Sequence, residues 1–416
     1  MKPSRHMRAP AFLSRSGATD KSSLSPREQL PKDQNLGAAR RPSNAAPKPA
    51  VDSIVMPQSL LFYISGHGFG HARRMTQLIR AISALRPDIP IHIRSAAPAR
   101  VFQPIPADRV QPCPIDSGMI EAGPLAIDRA RTLDHLEQFM TNCDSIISSE
   151  STAAAAIGAT MVIADIPFLA GDVADRIGVP CVGVSNFTWD WIYGELFAGE
   201  PRYAPIHERI VKSYARYSAI LQLPFGAVCA AIRSKIPTPL IAPQSIRTPE
   251  EIIKQIGLPE NDRRPRILFS TRGSDAGAAL IAAAQQSPDF LFICTLGDDV
   301  AFPPNVHRVR LTPALDFSDL VRISDAVVSK LGYGIVAECI ASRVRLAWPR
   351  RSGFAEDSIV ERELPRHLPM IEIPSEQYPK GDWREMLKTL LAIPMPALVF
   401  PTNGAEFGAR WICDHM

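Results

Sequence analysis

The chain has 416 residues, 46% hydrophobic and 21% charged, an ordinary globular balance long enough for two domains. Its formal charge of +4 is uneven: residues 1–55 hold ten Lys/Arg and four Asp/Glu, a net of +6, which leaves −2 on the other 361 residues. The part expected to fold is not basic, so nucleic acid is excluded as an expected partner, and no run of ~18 uncharged apolar residues offers a membrane-spanning helix.

Seven cysteines (Cys113, Cys143, Cys181, Cys229, Cys294, Cys339 and Cys413) form no CxxC pair, and most sit in apolar runs. They read as reduced core residues of a cytoplasmic protein, with peripheral attachment to the inner membrane as the alternative and no zinc expected. Residues 1–55 are rich in Pro, Ser, Ala, Arg and Lys and read as a disordered extension. An upstream start codon with Met56 as the true beginning is one explanation; a targeting peptide is disfavoured by the four acids and many prolines.

Order begins at Leu60–Ser65, an apolar run of strand length, which breaks at Gly66-His67-Gly68-Phe69-Gly70-His71. Met75, Leu78, Ile79, Ile82 and Leu85 then recur at helical spacing until Pro87, and Ile91–Ile93 forms the next strand, so the chain opens as βαβ. Thr160–Ala164 and Cys181–Ser185 read as further strands, and residues 205–218 as a helix. Proline density rises at Pro237–Pro243. A second series follows with strands at Arg266–Ser270, Phe290–Cys294, Ala326–Lys330 and Arg345–Trp348, and a last helix near Gly404–Cys413. The expected fold is α/β with two tandem Rossmann-like lobes and a cleft between them: residues 56–240, residues 241–402, and a terminal helix over 403–416.

The first glycine turn is a backbone device, a ligand-facing helix N-terminus, or both. It is not a dinucleotide fingerprint: His71 stands where the third glycine belongs, and the second strand ends at Arg94 rather than an acid. Two of the chain's nine histidines, His67 and His71, thus stand at the mouth of a parallel sheet. An imidazole there suits proton abstraction from a hydroxyl at neutral pH.

The second turn, Leu331-Gly332-Tyr333-Gly334, follows Asp325–Lys330 and opens a helix carrying Glu338. Gly332 and Gly334 let backbone approach a diphosphate, and Glu338, one turn on, can accept both hydroxyls of a ribose; the alternative is a solvated helix glutamate. Asn186, Trp189, Asp190 and Trp191 follow the Cys181–Ser185 strand. They suit an acceptor sugar's apolar face and hydroxyls, or else a core-packing pair with a helix-capping aspartate. Asp165 ends another strand, where it can contact the acceptor or orient a histidine. The candidate catalytic set is His71, His67 and Asp190.

YISGHGFGHARR at 63–74, SNFTWDWIYGE at 185–195 and SKLGYGIVAECIA at 329–341 resemble the glycosyltransferase-like half of plant L-arabinokinases and their bacterial single-module relatives. They resemble more distantly the cell-wall enzyme that adds N-acetylglucosamine to make lipid II. The resemblance implies a GT-B fold with a nucleotide-sugar donor, UDP-linked, in the C-terminal lobe. It implies that Glu338 holds the donor ribose, His71 acts as base or orienting group, Glu356 and Asp357 contact the donor sugar, and Arg272, Gly273 and Ser274 lie near the phosphates. Where the related motif carries hydroxyls, this chain has Gly334-Ile335-Val336-Ala337-Glu338, which leaves only backbone donors.

No DxD string occurs, so a metal-clamped diphosphate is not expected, and no GxxxxGK[ST] string supports a kinase. Arg272, Arg350 and Arg351 are candidates to stabilise the leaving group instead. The expectation is metal- and cofactor-independent glycosyl transfer to a hydroxyl of a small molecule, glycan or lipid-linked acceptor. A non-hydrolysing nucleotide-sugar epimerase and a catalytically silent nucleotide-sugar-binding protein are the alternatives.

Overall fold

The computed structural model describes residues 58–416 apart from 124, 260, 272–275, 298–300 and 398. The expected disorder of 1–55, Met56 as a beginning, and the phosphate-side residues Arg272, Gly273 and Ser274 all lie outside the described residues.

Two all-parallel sheets follow one another along the chain. The first contains β1 (Ser59–Ile64), β2 (Ile91–Ser95), β3 (Val110–Gln111), β4 (Ala159–Asp165), β5 (Cys181–Ser185), β6 (Ala219–Gln222) and β7 (Lys235–Pro237), in the order β3-β2-β1-β4-β5-β6-β7. The second contains β8 (Arg266–Phe269), β9 (Leu291–Cys294), β10 (Val306–Arg308), β11 (Ala326–Val328), β12 (Arg345–Pro349) and β13 (Met370–Ile373), in the order β10-β9-β8-β11-β12-β13. Both sheets share one winding: it starts in the middle, runs to one edge, then crosses back. The crevices of such sheets open where the order reverses, here between β1 and β4 and between β8 and β11. Strands β1 and β5 are buried at every position, which is why they read as unbroken apolar runs.

Helices α1 (Phe69–Leu85), α2 (Arg129–Ala156), α3 (Leu169–Ile177), α4 (Trp189–Leu196) and α5 (Tyr203–Tyr214) accompany the first sheet. Helices α6 (Pro249–Ile256), α7 (Ala276–Gln286), α8 (Phe317–Arg322), α9 (Tyr333–Ser342), α10 (Ala355–Glu363) and α11 (Arg384–Ala392) accompany the second. Met75, Leu78, Ile79 and Ile82 of α1 are buried as their spacing predicts, whereas Leu85, in the last turn, is 49% exposed.

Helix α12 (Gly404–Asp414) crosses back to the first sheet, where Ala405, Ala409 and Ile412 join the apolar stripe of α1. Gly408 permits the close approach, since a Cβ there would lie 3.1 Å from Leu78 Cδ1. One apolar cluster is continuous from Leu60 and Phe62 through Leu240, Ile241 and Tyr333 to Leu268 and Val327, so the two sheets share a core.

The 28-residue helix α2 escapes a reading by apolar period because its buried side includes Thr132, Ser151 and Ala154 beside Leu133, Leu136, Phe139 and Ile147. Strands β3 and β7 are two and three residues long, and β7 ends on Pro237 at the sheet edge, where the missing N–H costs no ladder bond. Among the described residues, no helix is long and apolar enough to cross a membrane.

Candidate functional site

The two glycine turns meet. Gly66 leaves β1 so close to β2 that a Cβ would lie 2.5 Å from Ala96 Cβ, and Gly68 adopts φ +83°, a left-handed conformation suited to glycine. Across from it, Gly332 precedes α9, and a Cβ on Gly334 would touch Gly70 Cα at 3.4 Å. The first turns of α1 and α9, one from each lobe, are therefore in contact. Each presents backbone N–H groups that favour negative charge, and the cluster between and around them is rich in carboxylates.

His71 lies in the first turn of α1, half-buried, with Nδ1 2.9 Å from Asp165 Oδ1. Strand register brings the two together, since Asp165 at the end of β4 pairs with Ile64 at the end of β1. Arg74, 2% exposed, holds the same carboxylate: its Nε donates to Asp165 Oδ2 at 2.6 Å, and Nη2 donates to Oδ1. Nη1 donates to Asn186 Oδ1 at 2.8 Å, and Nη2 also reaches Ser185 Oγ at 2.9 Å. Burial opposes ionisation of Asp165, but the charge of Arg74 and the hydrogen bonds from Arg74 and His71 outweigh it and hold the carboxyl below its ordinary value.

Nδ1 of His71 has two polar neighbours, Asp165 Oδ1 at 2.9 Å, which when ionised only accepts, and Arg74 Nη2 at 3.1 Å, which only donates. Nη2 has Asp165 and Ser185 to donate to, so the shorter contact puts the ring proton on Nδ1 and, in the neutral ring, leaves Nε2 with a lone pair. The face of the Tyr333 ring lies 4.9 Å from the Arg74 guanidinium, which ties this cluster to the second lobe.

His67 forms a separate pair. Its Nε2 lies 3.3 Å from Oδ1 of the buried Asp116, whose Oδ2 accepts from Trp189 Nε1 at 3.3 Å. Burial pulls the His67 imidazole down, but the hydrogen bond and charge of Asp116 outweigh that and raise it. Gly118 makes room, because with φ +70° and any Cβ it would run into the His67 ring.

On the second lobe, Glu338 is 4% exposed and already paired: Arg73 of α1 reaches it across the lobes at 3.3 Å. Arg73 also meets Asp316 at 2.6 Å, the residue that caps α8. Burial pushes the Glu338 carboxyl up to about 7, with Arg73 opposing and Asp316 adding to the rise. Glu356 also points across, accepting from Asn186 Nδ2 at 2.8 Å, whereas Asp357 is held by Arg351, whose Nε donates to Oδ2 at 3.0 Å. Tyr333 Oη accepts the Ile241 N–H at 3.0 Å. Arg350 is engaged at the surface by Glu361 and Glu372.

The expected residues therefore divide. His71, Asp165, Asn186, Glu356 and Tyr333 are linked through Arg74 and direct bonds, while Gly334 and Glu338 meet α1 separately, at Gly70 and Arg73. Trp189 is 2% exposed and stacked on Tyr193 at 5.0 Å, so its ring belongs to the first lobe's core, and Trp191 packs half-buried against the same cluster. The carboxylates that pair with the two histidines are Asp165 and Asp116, whereas the backbone carbonyl of Asp190 accepts from Tyr203 and its Oδ1 is buried without a hydrogen-bond partner.

Arg73, Arg74, Asp116 and Asp316 were not marked by sequence pattern. Two surface cavities of about 360 and 550 Å³ lie elsewhere, the first lined by residues such as Asp172 and Arg209, the second between α1 and α12.

No family model matches the chain. It is 26% identical over 354 residues to L-arabinokinase of Arabidopsis thaliana, covering 84% of this chain and 33% of that protein. The chain thus spans about a third of the length of the curated relative it matches. Among solved structures it is similar to the spinosyn forosaminyltransferase SpnP, with a TM-score of 0.55, 17% identity, and coverage of 85% of this chain and 93% of that one. It is also similar to the glycosyltransferase VinC in complex with dTDP, with a TM-score of 0.52, 15% identity, and coverage of 86% and 94%. Two parallel Rossmann-like sheets meeting at their glycine turns, a terminal helix that crosses back, and these neighbours together show that the chain has the GT-B glycosyltransferase fold.

Proposed function

We propose that this protein transfers a glycosyl group from a nucleotide sugar, UDP-linked, to a hydroxyl acceptor without a metal ion. The observation that carries the reading is the His71 Nδ1–Asp165 Oδ1 contact of 2.9 Å at one switch point, set against the glycine turn of α9 at the other. In this reading His71 Nε2 accepts the acceptor hydroxyl's proton as its oxygen attacks the anomeric carbon. Charge developing on the departing diphosphate is met by the N-terminal N–H groups of α9 at Gly332–Gly334. Glu338 is the ribose ligand, so donor entry exchanges Arg73 for the diol. Asn186 and Glu356, bonded to each other across the lobes, exchange that bond for contacts to the sugar's hydroxyls. The seven free thiols suit a reducing compartment, the cytoplasm.

The test is incubation with UDP- and dTDP-linked sugars and a panel of hydroxyl acceptors in EDTA, read by mass spectrometry. A glycosylated acceptor supports the reading. Donor epimerised without any acceptor indicates the epimerase, and saturable donor binding with neither product indicates a silent binder.

A further inference from the structure

Arg74 is the most completely engaged cation of the described site. It is 2% exposed and contacts Asp165 with two nitrogens, Asn186 and Ser185 with further donors, and the Tyr333 ring with its face, and its Nη2 also lies 3.1 Å from His71 Nδ1. A single arginine buried this deeply needs one carboxylate to balance it, and Asp165 is that carboxylate. His71 shares Asp165 as a second, uncharged donor. The proton count then depends on Arg74.

We infer that Arg74 is a positioning residue whose fixed charge neutralises Asp165 and so keeps His71 Nε2 free of a proton. The inference rests on the reading of His71 as the base. With Arg74 present, the trio Arg74⁺, Asp165⁻ and neutral His71 carries no net charge, and the proton on Nδ1 faces Asp165. Remove the positive charge, and a buried, uncompensated carboxylate remains, which the site corrects by taking one proton from solvent. That proton has two places to go. On the ring it makes an imidazolium, with both nitrogens protonated. On Asp165 it makes a carboxyl that donates to Nδ1, which moves the ring's own proton to Nε2. Both outcomes protonate Nε2, and the base is lost.

Two other charged groups lie close but stand outside the trio. Asp116, from the β3–α2 connection, lies near enough to interact with His71 and is matched by His67, while Glu356, from α10, acts on Arg74 and bonds Asn186. Phe187, on the β5–α4 connection, offers His71 an uncharged edge with ring centroids 5.7 Å apart.

The experiment is nitrogen-15 NMR of the His71 ring at neutral pH in the full chain, with His71→Gln to assign the resonance. Measured are wild type, Arg74→Lys and Arg74→Met. The expected result is a bare Nε2 in wild type and in Arg74→Lys, which keeps the charge, and a protonated Nε2 in Arg74→Met. A protonated Nε2 in wild type or in the lysine variant overturns the inference, and both measurements stand whether or not the methionine variant folds. A bare Nε2 in a folded Arg74→Met overturns it as well. The readout needs no substrate, so failure of the glycosyl-transfer reading is scored separately, by turnover. If that reading holds, Arg74→Met lowers kcat about 10²-fold with donor KM little changed, and Arg74→Lys restores most of the loss.

Discussion

Arg73 on the first helix of one lobe and Glu338 on the glycine-turn helix of the other form an ion pair 3.3 Å across the cleft, with Glu338 almost wholly buried. The carboxylate assigned to the donor ribose is thus closed off by a cation of the opposite lobe. A ligand that enters there must replace a charge-assisted contact rather than fill empty space.

The pH dependence of stability reports on that carboxylate. Glu338 has its carboxyl raised from 4.5 to about 7, so the folded protein binds its proton more tightly than the unfolded chain does. Its contribution is therefore fully present below pH 4.5 and is lost as pH rises toward about 7. Glu338→Gln should match wild type in thermal unfolding at the acid end and gain on it by up to about 3 kcal/mol at the alkaline end. A difference in Tm that is flat with pH contradicts the buried, raised carboxyl.

Donor affinity tests the ribose assignment. Glu338→Ala should weaken UDP binding, measured by calorimetry, by about 2 kcal/mol or more, since two charge-assisted hydrogen bonds disappear. An unchanged dissociation constant in a folded variant removes Glu338 from the donor site.

The histidines should separate by role. His71→Ala should lower kcat about 10²-fold or more with donor affinity little changed, because the proposed donor site is on the other lobe. His67→Ala should cost less turnover. The raised imidazole of His67 adds stability that is present below the ordinary value of 6.5 and is lost as pH climbs past its folded value. The stability difference between wild type and His67→Gln should therefore shrink from mildly acidic to alkaline pH, as followed by thermal unfolding.

Gly118 guards the position of His67. Gly118→Ala should cost about 1–2 kcal/mol for the left-handed backbone, and the added methyl should push the imidazole off Asp116. The check is denaturant unfolding together with the loss of the His67 titration shift by NMR.

Turnover should be insensitive to EDTA, because the proposed leaving-group stabilisation uses the α9 N-terminus and not a bound cation. Inactivation reversed by manganese or magnesium contradicts that mechanism.

The fold was legible from local pattern because buried parallel strands read as apolar runs and glycine turns punctuate them: β1, β5, β8 and β12 and the helix stripe of α1 all announce themselves within a few residues. His71 could be marked the same way, as the residue closing a strand-to-helix turn. Its partner could be offered to a histidine but not assigned to this one. Asp165 lies 94 residues away, and sequence left it among several strand-ending or helix-starting acids, with Asp190 placed in the catalytic set instead. Sheet order decides between them, because β4 lies beside β1 and sets Asp165 level with Ile64, next to the turn. Arg73 and Glu338, 265 positions apart, meet only because two separately wound sheets present their first helices to each other. Spacing encodes what a residue does within its own helix or strand. Which charge it faces across a crevice depends on how strands are ordered and lobes are packed, and those choices are set by burial summed over the whole core.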